Sequence, residues 1–227
     1  MSSQRSIAHF AALGAALLAV FATQLTLPLA GSHRGALNAP PSERFLHAAT
    51  RAEPALAAQI LSLYIQGYDA TPGVAGTLRR LDYPTLAAWL RAVSRLDPDS
   101  TYAAQLALLY SRIEDPGRKR QMLALIAENF ARTPQRHWRA MAEAAIIARH
   151  ELKDISLALR YAELLERHAN GPDVPGWAQQ MHALLLADIG EHERARIVLG
   201  ALLASGKVHN AHELRLLESR LLEPAKR

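Results

Sequence analysis

DYPTLAAWLRAVSRLDP, Asp82 to Pro98, is the stretch whose reading decides the fold. Asp82 carries a carboxylate that can cap the exposed N–H groups of a first helical turn. The helix this predicts runs to Leu96 and stops at Asp97-Pro98, because a proline ring drives the preceding residue out of the helical region. Upstream, Ser42 can cap a brief helix through Thr50. Pro54, suited to a first helical turn, opens ALAAQILSLYIQGY, where Leu56, Ile60, Leu63, Tyr64 and Tyr68 recur at helical spacing as an apolar face. The segment Asp69 to Leu81, with its Gly and Pro residues, reads as the loosest part of the domain. Downstream, helices fit Thr101 to Ile113, Arg118 to Ala131, Gln135 to His150, Ile155 to His168, Trp177 to Ile189 and His192 to Ala204. Asp115-Pro116-Gly117, Thr133-Pro134, Lys153-Asp154 and Gly190 are among the breaks between them. A last helix begins at Asn210, with Glu213 completing a variant capping box, and presents Leu214, Leu217 and Leu221 as one stripe. About ten helices account for the chain and no strand is needed.

These helices pair at irregular intervals of roughly 36 to 37 residues. Asp82-Tyr83 with Leu96-Asp97-Pro98 resembles the second helix and closing LDP of a tetratricopeptide repeat. Gly190, Ala195 and Leu202 fall at that repeat's inter-helix Gly, small Ala and closing apolar positions. Trp138, Met141, Ala142 and Ala145 resemble its opening, and Asp154 with Ala158 and Tyr161 the start of its second helix. The likeness to tetratricopeptide-repeat proteins covers roughly Pro54 to Ala204. The chain departs from the pattern in a Gly/Pro insertion in the first unit, a long helix after Trp138, and Gln121-Met122 where an Ala belongs. An irregular helical bundle is the alternative. The physics behind the repeat is simple: small residues (Ala142, Ala158, Ala183, Ala195) let paired helices approach, and larger ones (Leu90, Ile126, Tyr161, Leu199) fill the space between pairs. The resemblance implies an all-α fold, a solenoid of helical hairpins closed by a C-terminal capping helix. It also implies a partner-binding inner face, lined by the first helix of each pair: Tyr102, Gln105, Arg112, Arg136, Arg139, Glu143, Trp177 and Gln180. Trp138 and Trp177, at helix starts, read as core more than as contact.

Composition agrees with an α fold. Half of the 227 residues are hydrophobic but only 6% are aromatic, the apolar set being mostly Ala and Leu. The net charge is +5. Arg112 to Lys153 holds nine Lys or Arg against five Asp or Glu, interleaved as in a solvated face of mixed sign. Cysteine is absent, which removes disulfides, thiol nucleophiles and Cys-ligated zinc.

The N-terminal run IAHFAALGAALLAVFATQLTLPLA, Ile7 to Ala30, lies in a stretch with no charge between Arg5 and Arg34. As a helix it would span about 36 Å, against a hydrocarbon core of about 30 Å. It reads as a signal anchor over residues 1–30. The rivals are a cleaved signal peptide, with Val20-Phe21-Ala22 or Ala30-Gly31-Ser32 as cleavage sites, and a buried soluble helix. Residues 31–53 read as a linker with a short helix, and 54–223 as the repeat domain. A positive N-terminal flank stays in the cytoplasm, so the expected location is a bacterial inner membrane, single-pass, with the C-terminal domain periplasmic.

No catalytic pattern survives inspection. Gly200 to Val208 imitates a P-loop, but its spacing is one residue too long and Val208 stands where a magnesium-binding hydroxyl belongs. His150-Glu151, His192-Glu193 and His212-Glu213 lack the second histidine a zinc helix needs, and His209 with His212 places one member at a cap. Glu163 and Glu166 sit beside Arg160 and Arg167, an arrangement that suits surface ion pairs. The expectation is therefore a non-enzymatic, membrane-anchored scaffold without metal or cofactor, binding membrane-associated proteins and neither nucleic acid nor a small-molecule substrate. The alternative is a basic helical domain that binds nucleic acid or anionic lipid through Arg118, Lys119, Arg120, Arg132, Arg136 and Arg139.

Overall fold

The computed structural model describes residues 37–51, 53–69, 81–206 and 215, all within one unit, Ala36–Arg227. Every regular element among them is helical. These are α1 (Glu43–Ala49), α2 (Pro54–Asp69), α3 (Tyr83–Leu96), α4 (Tyr102–Tyr110), α5 (Pro116–Arg132), α6 (Pro134–His150), α7 (Ile155–His168), α8 (Gly176–Asp188) and α9 (His192–Ala204). The expected anchor, residues 70–80 of the loose segment, and the expected last helix apart from Arg215 lie outside the described residues. Among the described helices none is long and apolar enough to cross a membrane.

Side-chain caps set the helix starts. Asp82 accepts from Thr85 N at 3.2 Å, Asp115 from Arg118 N at 2.9 Å and Asp154 from Leu157 N at 3.0 Å. Each satisfies an N–H that the first turn would otherwise leave open. Because Asp115 is a cap and Pro116 needs no N–H partner, α5 starts two residues before the expected Arg118. Helix α4 is shorter than expected: Ser111 Oγ bonds the Leu108 carbonyl at 2.7 Å and Arg112 N the Leu109 carbonyl, tightening the chain out of the helix before Ile113. At Thr133 a single residue, with φ −136° and ψ 74°, both closes α5 and precedes α6. After α8, Gly190 at φ 85° forms a Schellman turn, with Glu191 N bonded to Leu186 O and Gly190 N to Ala187 O. The turn after α6 puts Lys153 in the same left-handed region, at φ 55°.

From α2 onward each helix packs against the next, and α3 also meets α5, α4 meets α6, and α6 meets α8. Four hairpins therefore stack in sequence, with α2, α4, α6 and α8 leading and α3, α5, α7 and α9 following. The small residues Ala142, Ala158, Ala183 and Ala195 are buried, as are the spacers Leu90, Ile126, Tyr161 and Leu199. One apolar cluster runs from Leu37 to Ala178, and a second joins α8 to α9 through Ala183, Leu186, Ala195, Leu199 and Leu202. Polar ties cross the stack. Tyr83 donates to the Tyr110 carbonyl at 2.9 Å, and Ser94 bonds Asn129. Arg91 grips Glu128 with two bonds of 2.7 and 2.8 Å.

The first hairpin differs from the others. Helix α2 turns Ala58, Ser62 and Ile65 inward, while Leu56, Ile60 and Leu63 are 53%, 57% and 63% exposed. Leu56, Ile60 and Leu63 thus point out of the stack, because α2 is apolar on two sides and the side with small residues fits α3 more closely. Before α1, Leu37 is buried and the Asn38 carbonyl accepts from Trp89 Nε1 at 2.7 Å. The Trp89 ring lies 5.2 Å from that of Tyr64.

Candidate functional site

Stacking α4 beside α6 leaves an open groove of about 480 Å³ between two leading helices. Gln105 and Leu108 of α4 line one wall, the start of α6 through Glu143 lines the other, and Asp173 lies at the rim. The loop before α8 is tied to that wall: Gln135 accepts from Gly171 N at 2.5 Å and donates to the His168 carbonyl at 3.1 Å. A Cβ at Gly171 would meet Gln135 Oε1 at 2.6 Å, so glycine permits this approach.

Of the residues expected from the sequence, the groove brings together Gln105, Arg136, Arg139 and Glu143, all exposed. Arg136 and Arg139 form no ion pair among the described residues. The Arg139 guanidinium sits 5.0 Å over the Trp138 ring, whose edge-to-face partner is Trp177, 5.6 Å away. This contact holds one charge in place while leaving its N–H donors available.

The other four expected residues lie elsewhere. Tyr102 is half-buried and accepts from Gln66 Nε2 of α2 at 2.6 Å. Arg112 is exposed in the turn after α4. Gln180 is only 3% exposed and offers a partner almost no surface. Of the two tryptophans expected in the core, Trp138 is buried and Trp177 is 45% exposed.

His137, Leu108, Gln135 and Asp173 escaped sequence reasoning. His137 is buried, its Nδ1 has no partner among the described residues, and the ring bonds the Pro98 carbonyl. Burial, with Arg132 nearby, pushes its pKa below the ordinary histidine value, so the imidazole is neutral at pH 7. A buried histidine between two arginines of a helix start has no sequence signature that separates it from a solvated one.

The basic residues of the alternative reading are mostly engaged. Lys119 pairs with Glu151, Arg120 with Asp154 at 3.3 Å and Arg118 with Asp115 at 4.0 Å, while Arg132 donates to Ser94 at 3.2 Å. Glu163 pairs with Arg167 at 2.5 Å, as its helix spacing suggests, whereas Glu166 reaches across to His182 at 2.6 Å. No group of three or more His, Cys, Asp or Glu that could hold a metal ion occurs among the described residues. Comparison with protein-family models, curated proteins and solved structures gives no match for this chain.

Proposed function

We propose that the chain is a non-enzymatic scaffold of the tetratricopeptide-repeat type, a hairpin solenoid that holds a segment of another protein in the groove between α4 and α6. In this reading Ile7 to Ala30 anchors it in a bacterial inner membrane, the domain over 54–223 faces the periplasm, and the helix from Asn210 caps the array. One observation carries the reading: Gln105, Arg136, Arg139 and Glu143 converge on one groove from successive leading helices. Two guanidiniums that have no carboxylate partner among the described residues can donate charge-assisted hydrogen bonds to a partner's carboxylates or carbonyls. Tethering to a membrane raises the effective concentration of membrane-bound partners without adding a contact.

The test is site-specific photocrosslinking of the full-length protein in its native membrane. A photoreactive residue at Gln105 or Leu108 should trap the same discrete adduct, and Arg136→Glu with Arg139→Glu should abolish it while helical circular dichroism is kept. Adducts that survive the double substitution, or appear equally from a probe at Arg196 on α9, would remove the groove from partner binding.

A further inference from the structure

Helix α2 leaves an apolar face uncovered at the start of the stack. Leu56, Ile60 and Leu63 are all more than half exposed, and no charged residue occurs from Pro54 to Tyr68. Its other side, through Ala58, Leu61 and Ile65, is given to the core. At 16 residues it is too short to span a bilayer.

The chain's path says what lies near that face. The Asn38 carbonyl is held by Trp89 of α3, whose ring packs at a tilt against Tyr64 of α2, so the polypeptide enters the described fold beside the uncovered side chains. Leu37 lies only seven residues after Ala30, the end of the uncharged run. Fully extended they reach about 25 Å. We infer that the outer face of α2 lies against the lipid surface, with Leu56, Ile60 and Leu63 in the interface between headgroups and acyl chains. This rests on the reading of Ile7 to Ala30 as a membrane anchor.

Two other occupants fit less well. As a helix, the run Ile7 to Ala30 would be apolar on every face, so docking it on α2 would cover one side and leave the rest in water, whereas a bilayer would cover all of it and the α2 face together. A second copy would hide the same side chains, but nothing in the chain's path brings one there. Arg44 and Arg51, exposed just before α2, suit anionic headgroups. An interfacial helix needs an apolar side and flanking cations, and residues 44–64 supply both.

The absence of cysteine makes the test direct. Full-length Ile60→Cys and, as control, Ile197→Cys on the 69% exposed position of α9 are labelled with an environment-sensitive fluorophore and reconstituted in vesicles of phosphatidylcholine and phosphatidylglycerol. The label at position 60 should shift to shorter wavelength, be quenched by spin-labelled lipid and resist aqueous iodide; the control should do the reverse. A label at position 60 open to iodide, in protein that still resists alkaline extraction, overturns the inference and leaves the anchor intact. Protein released by alkaline extraction overturns both. Shielding from iodide and lipid alike also overturns it, with disulfide-linked dimers of unlabelled Ile60→Cys identifying a second copy as the cover and their absence pointing to the chain's own N-terminal run.

Discussion

Helices α6 and α2 each lead a hairpin, yet they leave opposite surfaces outside the stack: Arg136, Arg139 and Glu143 on one, Leu56, Ile60 and Leu63 on the other. Helix α6 meets α4, α5, α7 and α8, and buries Ala140, Met141, Ala142, Ala144, Ala145 and Ala148 among them. Helix α2 packs chiefly on α3. In a stack, the apolar surface of one hairpin is covered by the next, so an interior helix can be greasy where it is flanked and charged where it is not. Among the described residues no earlier hairpin covers α2, and its outer side chains then record some other environment. The difference teaches that composition alone does not tell which side of a helix is the core.

The comparison breaks most readily under truncation. Met141→Ala should lose about 2–5 kcal/mol, read from urea or guanidinium unfolding, because the fully buried side chain leaves a cavity. Ile60→Ala should change stability by no more than about 0.5 kcal/mol. Equal losses would show that the α2 face is covered within the protein.

The turns sharpen it further. Gly190→Ala, at φ 85° with nothing crowding the added carbon, should cost about 1–2 kcal/mol through backbone strain alone. Lys153→Gly relieves the same strain after α6 and should gain up to about 1 kcal/mol in thermal or chemical unfolding. The Arg91–Glu128 pair spans the following helices α3 and α5 with side chains 34% and 41% exposed. Its double-mutant-cycle coupling should be about 0.5 kcal/mol, falling with salt. Each partner's pKa is moved outward, Arg91 up and Glu128 down, chiefly by their mutual hydrogen bond.

The smallest effect at neutral pH belongs to His137. Burial lowers its folded pKa, so below about pH 6.5 the unfolded chain binds more protons than the folded one. The stability it contributes is present above that value and is lost as pH falls through the folded one. Urea midpoints compared at about pH 7 and pH 5 should fall less in His137→Gln than in the parent chain.

Much of this was legible in the residues. Ile155–His168 and His192–Ala204 form over the expected bounds, the first because Asp154 is an unambiguous cap and the second because a glycine turn precedes it. The paired order of helices followed from the spacing of Asp, Pro and Gly breaks. The i,i+3 spacing of Arg136 and Arg139 found one wall of the groove, and the repeat-like register found Gln105 opposite. Tyr102 and Gln180 misled because the register gives a helix face but not what packs on it: Gln66 meets one and the other is buried. The spacing in α2 gave the helix but not its buried side, because its period fits two sides and only the closeness of α3 chooses between them. His137 and Asp173 join the groove through distances between hairpins, which no local pattern encodes.

Thr133 has a consequence for the molecule as a machine. A joint one residue long, clamped by Pro134 and bonded through its hydroxyl to the Pro98 carbonyl at 3.3 Å, has no slack. A change in the angle between α5 and α6 at that joint would change the gap between α4 and α6. A glycine inserted there would lengthen the chain by about 3.6 Å and turn a rigid elbow into a swivel, uncoupling the two halves without touching either.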